Sequence, residues 1–166
     1  MRMYIRESLI CGCVLLTATV FSGTAFASCD DIRASIPSSR YTIDGDSVYD
    51  TETDLTWQRC SVGQTWSDGD GCSGEVALFT WNEATEQADG DWRLPTRAEL
   101  ESLISLACDP SVNPGAFPDM DQTKLWYWTG EAPTDGLAWS VYFDGGSSFN
   151  GYRTAEHAVR LVRDGQ

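Results

Sequence analysis

Three pairs of aspartates, each separated by one residue, are the first candidates for chemistry. They are Asp44 and Asp46, Asp68 and Asp70, and Asp119 and Asp121. Calcium takes about six to eight oxygen ligands, so paired carboxylates could begin a loop site. The EF-hand spacing fails, because Val48 stands where a third ligand would be and no glutamate closes the loop. Solvated turn aspartates are therefore the favoured interpretation. Asp119 and Asp121 are kept as calcium candidates, and no other cofactor is expected.

Little in the chain points to catalysis. His157 is the single histidine, and neither a Gly-x-Ser-x-Gly elbow nor a His-Glu-x-x-His pair occurs. A lone histidine is more often structural than catalytic. Arg93, Arg160 and Arg163 are expected to pair with the abundant carboxylates. The sequence therefore favours a protein that is not an enzyme.

Seven tryptophans suggest binding to sugars, because an aromatic ring offers apolar area to a pyranose. Trp126 and Trp128 share one face of their predicted strand by alternation. The segment "DGGSSFNGYRT", residues 144–154, lacks an apolar period that would bury all its side chains. The predicted ligand-binding residues are therefore Trp126, Trp128, Asp144, Asn150, Tyr152 and Arg153, although a plain hairpin loop explains residues 144–154 equally well. Core packing is expected for Trp57, Trp81, Trp92 and Trp139.

The first 27 residues resemble a secretory signal, with a basic start, an apolar run from Leu9 to Phe21, and a small-x-small cleavage pattern at Ala25-Phe26-Ala27. The run is shorter than a membrane-spanning helix requires. Residues 28–166 then form one domain. Lipidation at Cys29 is a minority alternative, because "FASC" faintly resembles a lipobox.

Four cysteines remain after removal of the signal, and an even number in an oxidising compartment indicates two disulfides. They are Cys29, Cys60, Cys72 and Cys108. Three connectivities are open. Cys60 and Cys72 bracket the turn-rich segment "GQTWSDGDGCSG", so we predict that these two pair, which leaves Cys29 for Cys108.

The net charge of −14 limits the partners. Removing residues 1–27 takes away Arg2, Arg6 and Glu7, so the balance becomes more acidic still. Such a surface repels phosphate backbones, anionic headgroups and polyanionic glycans. Nucleic acid and direct membrane insertion of the processed chain are therefore not expected.

The elements predicted along the chain are two helices followed by a β-meander, which defines an α+β domain. A hairpin turning at Gly45 is expected near the start. Capping boxes at Thr80/Glu83 and Thr96/Glu99 predict helices, the first over residues 81–88 with its end at Gly90. Leu100, Leu103, Ile104 and Ala107 follow the second box at helical spacing. Strands are predicted at "LWYWTG", "LAWSVYFDGG" and "HAVRLVR".

Four of these segments, in order, resemble the Lcl C-terminal domain family of bacterial secreted and surface proteins. They are "WRLPTRAEL", "LWYWTG", "LAWSVYFDGG" and "AVRLVR", and the earlier "DGDSVYDTETDLTWQRCSVGQTW" fits the same family. The resemblance spans residues 40–163 and implies a C-type-lectin-like fold with its chain ends together. "RLPT" and "RLVR" are also similar to formylglycine-generating, sulfatase-modifying enzymes.

The resulting hypothesis is a secreted or cell-surface, non-enzymatic, adhesin-like module that recognises a glycan or a protein. Two alternatives stay open. One is a relative of the formylglycine-generating enzymes, whose chemistry requires a reactive cysteine pair, and the other is an envelope protein that self-assembles into homo-oligomers. The fold alone does not choose among them.

Overall fold

The computed structural model describes residues 40–104, 112–120 and 124–166. Within these ranges the chain forms nine strands and two short helices: β1 (Tyr41–Asp44), β2 (Ser47–Asp50), β3 (Leu55–Gln58), β4 (Thr65–Ser67), β5 (Gly71–Ser73), α1 (Trp81–Thr85), α2 (Arg97–Glu101), β6 (Trp126–Trp128), β7 (Leu137–Tyr142), β8 (Ser147–Tyr152) and β9 (Val162–Asp164). The predicted α+β class is confirmed. None of the described helices is long and apolar enough to span a bilayer.

The strands form three antiparallel sheets, ordered β1-β2-β3-β9, β4-β5 and β6-β7-β8. The last strand, β9, pairs with β3, with Trp57 opposite Val162. The first and last strands therefore belong to one sheet, with β1 and β9 at its opposite edges. The early hairpin turns at Gly45 as predicted, with φ of 56°. Two strands of the predicted meander form, as β6 and β7, but the third strand is β8 rather than the predicted "HAVRLVR", of which only the end is a strand, β9, paired with β3.

Both helices begin where the capping boxes predicted. The backbone N–H groups of Thr80 and Thr96 donate to the carboxylates of Glu83 and Glu99, at 2.9 and 2.7 Å. Each such pair satisfies amides that the first helical turn leaves without a partner. Leu100 and Leu103 are buried and Ile104 packs against the same core cluster, while Ala107 lies outside the described residues.

The first helix is shorter than predicted, ending at Thr85 rather than near residue 88. Its last turn tightens into i to i+3 hydrogen bonds, from Glu86 N–H to Glu83 C=O and from Gln87 N–H to Ala84 C=O. Gly90 does not end this helix. It occupies a positive-φ position in a two-residue turn between Asp89 and Trp92.

The segment predicted as a turn-rich loop, residues 63–74, is partly ordered as the β4-β5 hairpin. The Cys60–Cys72 disulfide, confirmed with a Cα to Cα distance of 5.5 Å, holds it to the end of β3. The other strand of the hairpin is held through Trp66, because the Arg59 guanidinium lies 3.7 Å from the centre of the Trp66 ring. The predicted partner cysteines, Cys29 and Cys108, lie outside the described residues.

Two apolar clusters form the core. The larger surrounds Trp57, Leu100 and Phe117, and the smaller surrounds Trp128 and Val159. The segment "WRLPT" links the two clusters, because Arg93 exchanges two backbone hydrogen bonds with Val162. The Arg93 guanidinium also binds Glu99, at 2.8 Å, and Asp164. This contact joins α2 to the end of the last strand, β9.

Candidate functional site

The register of the meander places three aromatic side chains on one side of the sheet. Trp126 of β6 lies opposite Tyr142 of β7, and Phe149 of β8 lies opposite Ser140. The rings of Trp126 and Tyr142 stack with their centres 5.1 Å apart, and Phe149 meets Trp126 edge-on at 6.3 Å. We call these three residues the aromatic face.

The outer part of the aromatic face is open to solvent. Phe149 is 59% exposed, and Trp126 and Tyr142 are half-buried. The opposite side of the same sheet is covered instead by α2, through the Arg97 guanidinium over Trp139 at 4.5 Å and the hydrogen bond from Ser148 to Glu101. An apolar surface of this kind, formed by adjacent rings on a rigid sheet, is suited to binding.

Arginine coverage separates Trp126 from the other surface tryptophans. Four half-buried tryptophans each have a guanidinium within 5.0 Å of a ring centre: Trp66 with Arg59, Trp81 with Arg153, Trp92 with Arg163 and Trp139 with Arg97. Trp57 and Trp128 are fully buried. Among the described residues, Trp126 is the tryptophan that is neither buried nor covered by an arginine.

This finding corrects two expectations. Trp57 is buried as predicted, but Trp81, Trp92 and Trp139 are only half-buried. Trp81 and Trp92 pack against the smaller core cluster, and an arginine covers each of the three rings. Arg93 and Arg160 pair with carboxylates as expected. Arg163 instead stacks over Trp92, at 5.0 Å.

A polar rim borders the aromatic face. The Asp144 carboxylate accepts a hydrogen bond from the Tyr142 hydroxyl at 3.3 Å and lies 3.6 Å from the Lys124 ammonium. Partial desolvation and the nearby Asp144 charge raise the pKa of Tyr142, so its phenol stays neutral and able to donate. The rim therefore offers a donor, an acceptor and a cation beside the rings.

His157 lies beside Trp126 and Trp128. Its ring centre is 4.2 Å from that of Trp128 and 6.3 Å from that of Trp126. Burial lowers the pKa of His157, against a smaller opposing effect of its backbone contact with Glu156. Its imidazole is therefore a neutral ring that packs against Trp128 and, at a greater distance, Trp126.

The residues predicted from sequence do not all meet at this face. Trp126 and Asp144 do. Trp128 is fully buried, with its indole N–H donating to the Phe79 carbonyl at 2.8 Å, so its ring offers no surface to a ligand. Asn150 and Tyr152 alternate with Phe149 along β8 and therefore point to the other side of the sheet. Arg153 covers Trp81 at 4.3 Å and donates to the Leu137 carbonyl.

Sequence reasoning missed Tyr142 and Phe149. Tyr142 lies in the predicted strand "LAWSVYFDGG" but carries no site signal of its own, and Phe149 lies in residues 144–154, which a plain hairpin loop explains equally well. The available signal was the alternation of "SSFNGY" after the Gly145-Gly146 turn, which marks a second strand of a hairpin. Aligning that strand with "LAWSVY" would have placed Phe149 near Trp126.

The described calcium candidate, Asp119, forms a buried ion pair. Its two carboxylate oxygens accept hydrogen bonds from the Arg160 guanidinium at 2.6 and 2.7 Å, and one also accepts from the Ser61 hydroxyl and backbone N–H. These contacts give Asp119 a structural role. Asp121 lies outside the described residues, and within the described ranges no three acidic, histidine or cysteine side chains form a metal-binding group.

The fold and disulfide define a small α+β domain stapled near its first sheet. The family model of the Lcl C-terminal domain matches residues 46–163. The chain therefore belongs to that family. No curated protein matches the chain.

Proposed function

We propose that this protein is an exported, non-enzymatic binding module of C-type-lectin-like fold, adhesin-like in role, which holds a glycan against its aromatic face. The observation that carries the proposal is Trp126, which lacks both the burial and the arginine cover found for the other tryptophans. Trp126, Tyr142 and Phe149 supply adjacent apolar rings, and a pyranose presents a matching apolar face of C–H groups.

The rim gives this surface its polar component. Asp144 accepts hydrogen bonds from sugar hydroxyls, and Lys124 donates to them. The net charge of −14 disfavours a polyanionic glycan, so an uncharged one is expected. A protein ligand that buries the same rings is the alternative occupant.

Export is supported by the signal-like first 27 residues and by the Cys60–Cys72 disulfide, since such bonds persist in oxidising compartments. The periplasm, the outer surface and the medium all fit, and attachment through a lipidated Cys29 remains the minority alternative. The disulfide also argues against a formylglycine-generating activity at these two cysteines, because that chemistry requires reactive thiols.

A glycan array probed with the purified protein, with and without calcium, tests the proposal. We expect binding to uncharged glycans and its loss in Phe149→Ser, because this change removes an exposed ring at little cost to folding. Ile43→Ser is the matched control, since Ile43 is also an exposed apolar residue, at 50%, on a strand of another sheet.

The array results separate the alternatives. Tyr152→Ser changes the same strand on its other side, so a selective loss there would move the site away from the aromatic face. Silence of the wild-type protein on the array in both conditions would contradict glycan binding. Calcium-dependent signals would instead support a metal-assisted site.

Self-assembly has one specific observation in its favour. Within the described residues, β8 pairs only with β7, so its outer edge presents unpaired backbone groups beside the exposed Phe149 and Tyr152. An open edge strand is a template for pairing with another copy. Size-exclusion chromatography with light scattering tests this second candidate: a monomer at all concentrations would exclude it.

A further inference from the structure

A separate concave surface lies between the disulfide-linked hairpin and the segment after α1. It is a cavity of about 480 Å³ lined by Asp46, Gln64, Trp66, Gln87 and Asp89, among others, and we call it the Trp66 groove. An adjoining hollow of about 430 Å³ shares three of these residues. None of the residues of the aromatic face lines either space.

The walls of the Trp66 groove are held by tight packing. The backbone at Gly63 approaches Ala77 so closely that a Cβ atom added at Gly63 would lie 2.6 Å from the Ala77 nitrogen. The Arg59 guanidinium holds the Trp66 ring, and it is held in turn by hydrogen bonds to the carbonyls of Gly45 and Gly115, at 2.9 and 3.0 Å. The groove is therefore a preformed space, which lowers the entropic cost of binding.

The lining consists of amides and carboxylates around two indole rings. Gln58, Gln64 and Gln87 provide the amides, and Asp46 and Asp89 the carboxylates. The Oε1 atom of Gln64 is shielded from solvent and has no hydrogen-bond partner among the described residues. The Gln64 amide is therefore part of the wall, where its Nε2 donates to the Gly74 carbonyl at 3.3 Å, and the carboxylates of Asp46 and Asp89 are the exposed acceptors.

We propose that the Trp66 groove binds a neutral sugar unit, through hydrogen bonds from its hydroxyls to Asp46 and Asp89 and through contact with Trp66. Its volume lies within the range of small-ligand sites, about 300 to 1,000 Å³. Carboxylates and amides accept hydrogen bonds from hydroxyls, and amides also donate. Many converging polar groups beside an aromatic ring suit a polyhydroxylated ligand better than an apolar one.

Charge decides between a neutral ligand and a charged one. No lysine, arginine or histidine is among the described residues lining the groove, so an anion would be repelled by the carboxylates of Asp46 and Asp89, which do line it. A cation at Trp66 or Trp92 would meet a ring that already has an arginine at 3.7 or 5.0 Å. Like charges near one ring repel, whereas a neutral sugar avoids both penalties.

Calorimetric titration of the purified protein with uncharged oligosaccharides of glucose and of N-acetylglucosamine tests this site. A galacturonic acid oligosaccharide and choline serve as the anionic and cationic probes. We expect binding of an uncharged probe and about tenfold weaker binding in Asp89→Asn, because a hydrogen bond to a charged acceptor becomes one to a neutral amide.

Two matched controls separate the groove from general effects. Asp135→Asn removes an exposed carboxylate far along the chain and should leave the affinity unchanged. Trp66→Ala should abolish binding at the groove, while Trp139→Ala removes another half-buried tryptophan with an arginine over it and should not. Circular dichroism confirms that each variant is folded before it is titrated.

The outcomes also distinguish this site from the aromatic face. If sugar binding is lost in Asp89→Asn and Trp66→Ala but retained in Phe149→Ser, the groove is a separate site. If sugar binding is lost only in Phe149→Ser, the groove proposal is overturned and the proposed function stands. Binding of choline or of the anionic probe alone, or no binding of any uncharged probe, also overturns it.

Discussion

Asp119 and Arg160 form a buried ion pair whose side chains are 2% and 0% exposed. The same guanidinium also donates to the Gln58 carbonyl at 2.7 Å and to the Ser61 hydroxyl at 3.0 Å. Arg160 is thus the connection between the end of β3, the loop that contains Asp119, and the segment leading into β9. The negative charge of Asp119 therefore stabilises the folded protein.

Removing that charge should destabilise the protein strongly. We expect Asp119→Asn to lower the free energy of unfolding by about 3 kcal/mol, because it leaves a buried guanidinium without its counter-charge. Urea denaturation measures the difference. Asp135→Asn, at an exposed position, should change stability by less than about 0.5 kcal/mol. Equal effects of the two substitutions would contradict a structural role for the pair.

His157 predicts a pH dependence with a definite sign. Its pKa in the folded protein lies below the ordinary value of about 6.5, so the unfolded chain binds a proton more readily. Its contribution to stability is therefore complete above pH 6.5 and is lost as the pH falls from there towards the folded pKa.

The test compares wild type with His157→Phe, which keeps a ring beside Trp128 but cannot be protonated. Between about pH 7.5 and pH 5.5, wild type should lose more free energy of unfolding than the variant. Carboxylates titrate in both proteins, so the difference isolates residue 157. Parallel stability curves would show that the imidazole does not carry the effect.

At the scale of elements, the β4-β5 hairpin depends on one close backbone contact. Gly63 and Gly69 have nearly the same positive φ, 98° and 96°, but only Gly63 has neighbours within 4 Å of an added Cβ. Both alanine substitutions impose backbone strain of about 1 to 3 kcal/mol. Gly63→Ala adds a clash with Ala77.

We expect Gly63→Ala to be less stable than Gly69→Ala by about 2 kcal/mol, because overpacking forces the hairpin away from residue 77. Thermal melting of the two variants measures the difference. Gly63→Ala, but not Gly69→Ala, should also weaken sugar binding at the Trp66 groove. Identical melting of both variants would mean that this approach does not shape the hairpin.

Short sequence motifs predicted the elements whose stabilising contacts lie close together in the chain. The capping boxes identified both helix starts, since Thr and Glu three residues apart satisfy each other's backbone groups. The bracketing of a loop by Cys60 and Cys72 identified the disulfide. The end of α1 was missed, because the tighter last turn beyond Thr85 has no sequence marker as clear as a glycine.

For the whole molecule, the family resemblance identified the domain, and alternation identified two strands of the meander, β6 and β7, but not the third, β8. The candidate site was predicted only in part. Trp126 and Trp128 share a strand face, but whether a ring is open depends on what distant segments cover it. The segment around Phe79 buries Trp128, and arginines from other segments cover Trp66, Trp81, Trp92 and Trp139.

Those long-range contacts explain why the aromatic face emerged only from the structure. Phe149 reaches Trp126 through pairing of β8 with β7 and of β7 with β6. Asn150 and Tyr152, expected in the same site, point away because adjacent strand residues face opposite sides. Composition did constrain the ligand class, since an excess of carboxylates disfavours anions whatever the fold.

The most direct test of the proposed function is fluorine NMR of the protein labelled with 5-fluorotryptophan, titrated with an uncharged glycan that binds on the array. The Trp126 resonance is assigned by its absence in Trp126→Phe, and that of Trp57, fully buried, serves as the internal reference. We predict that the Trp126 resonance shifts with glycan concentration while that of Trp57 does not. A saturating glycan that leaves the Trp126 resonance unmoved would contradict binding at the aromatic face.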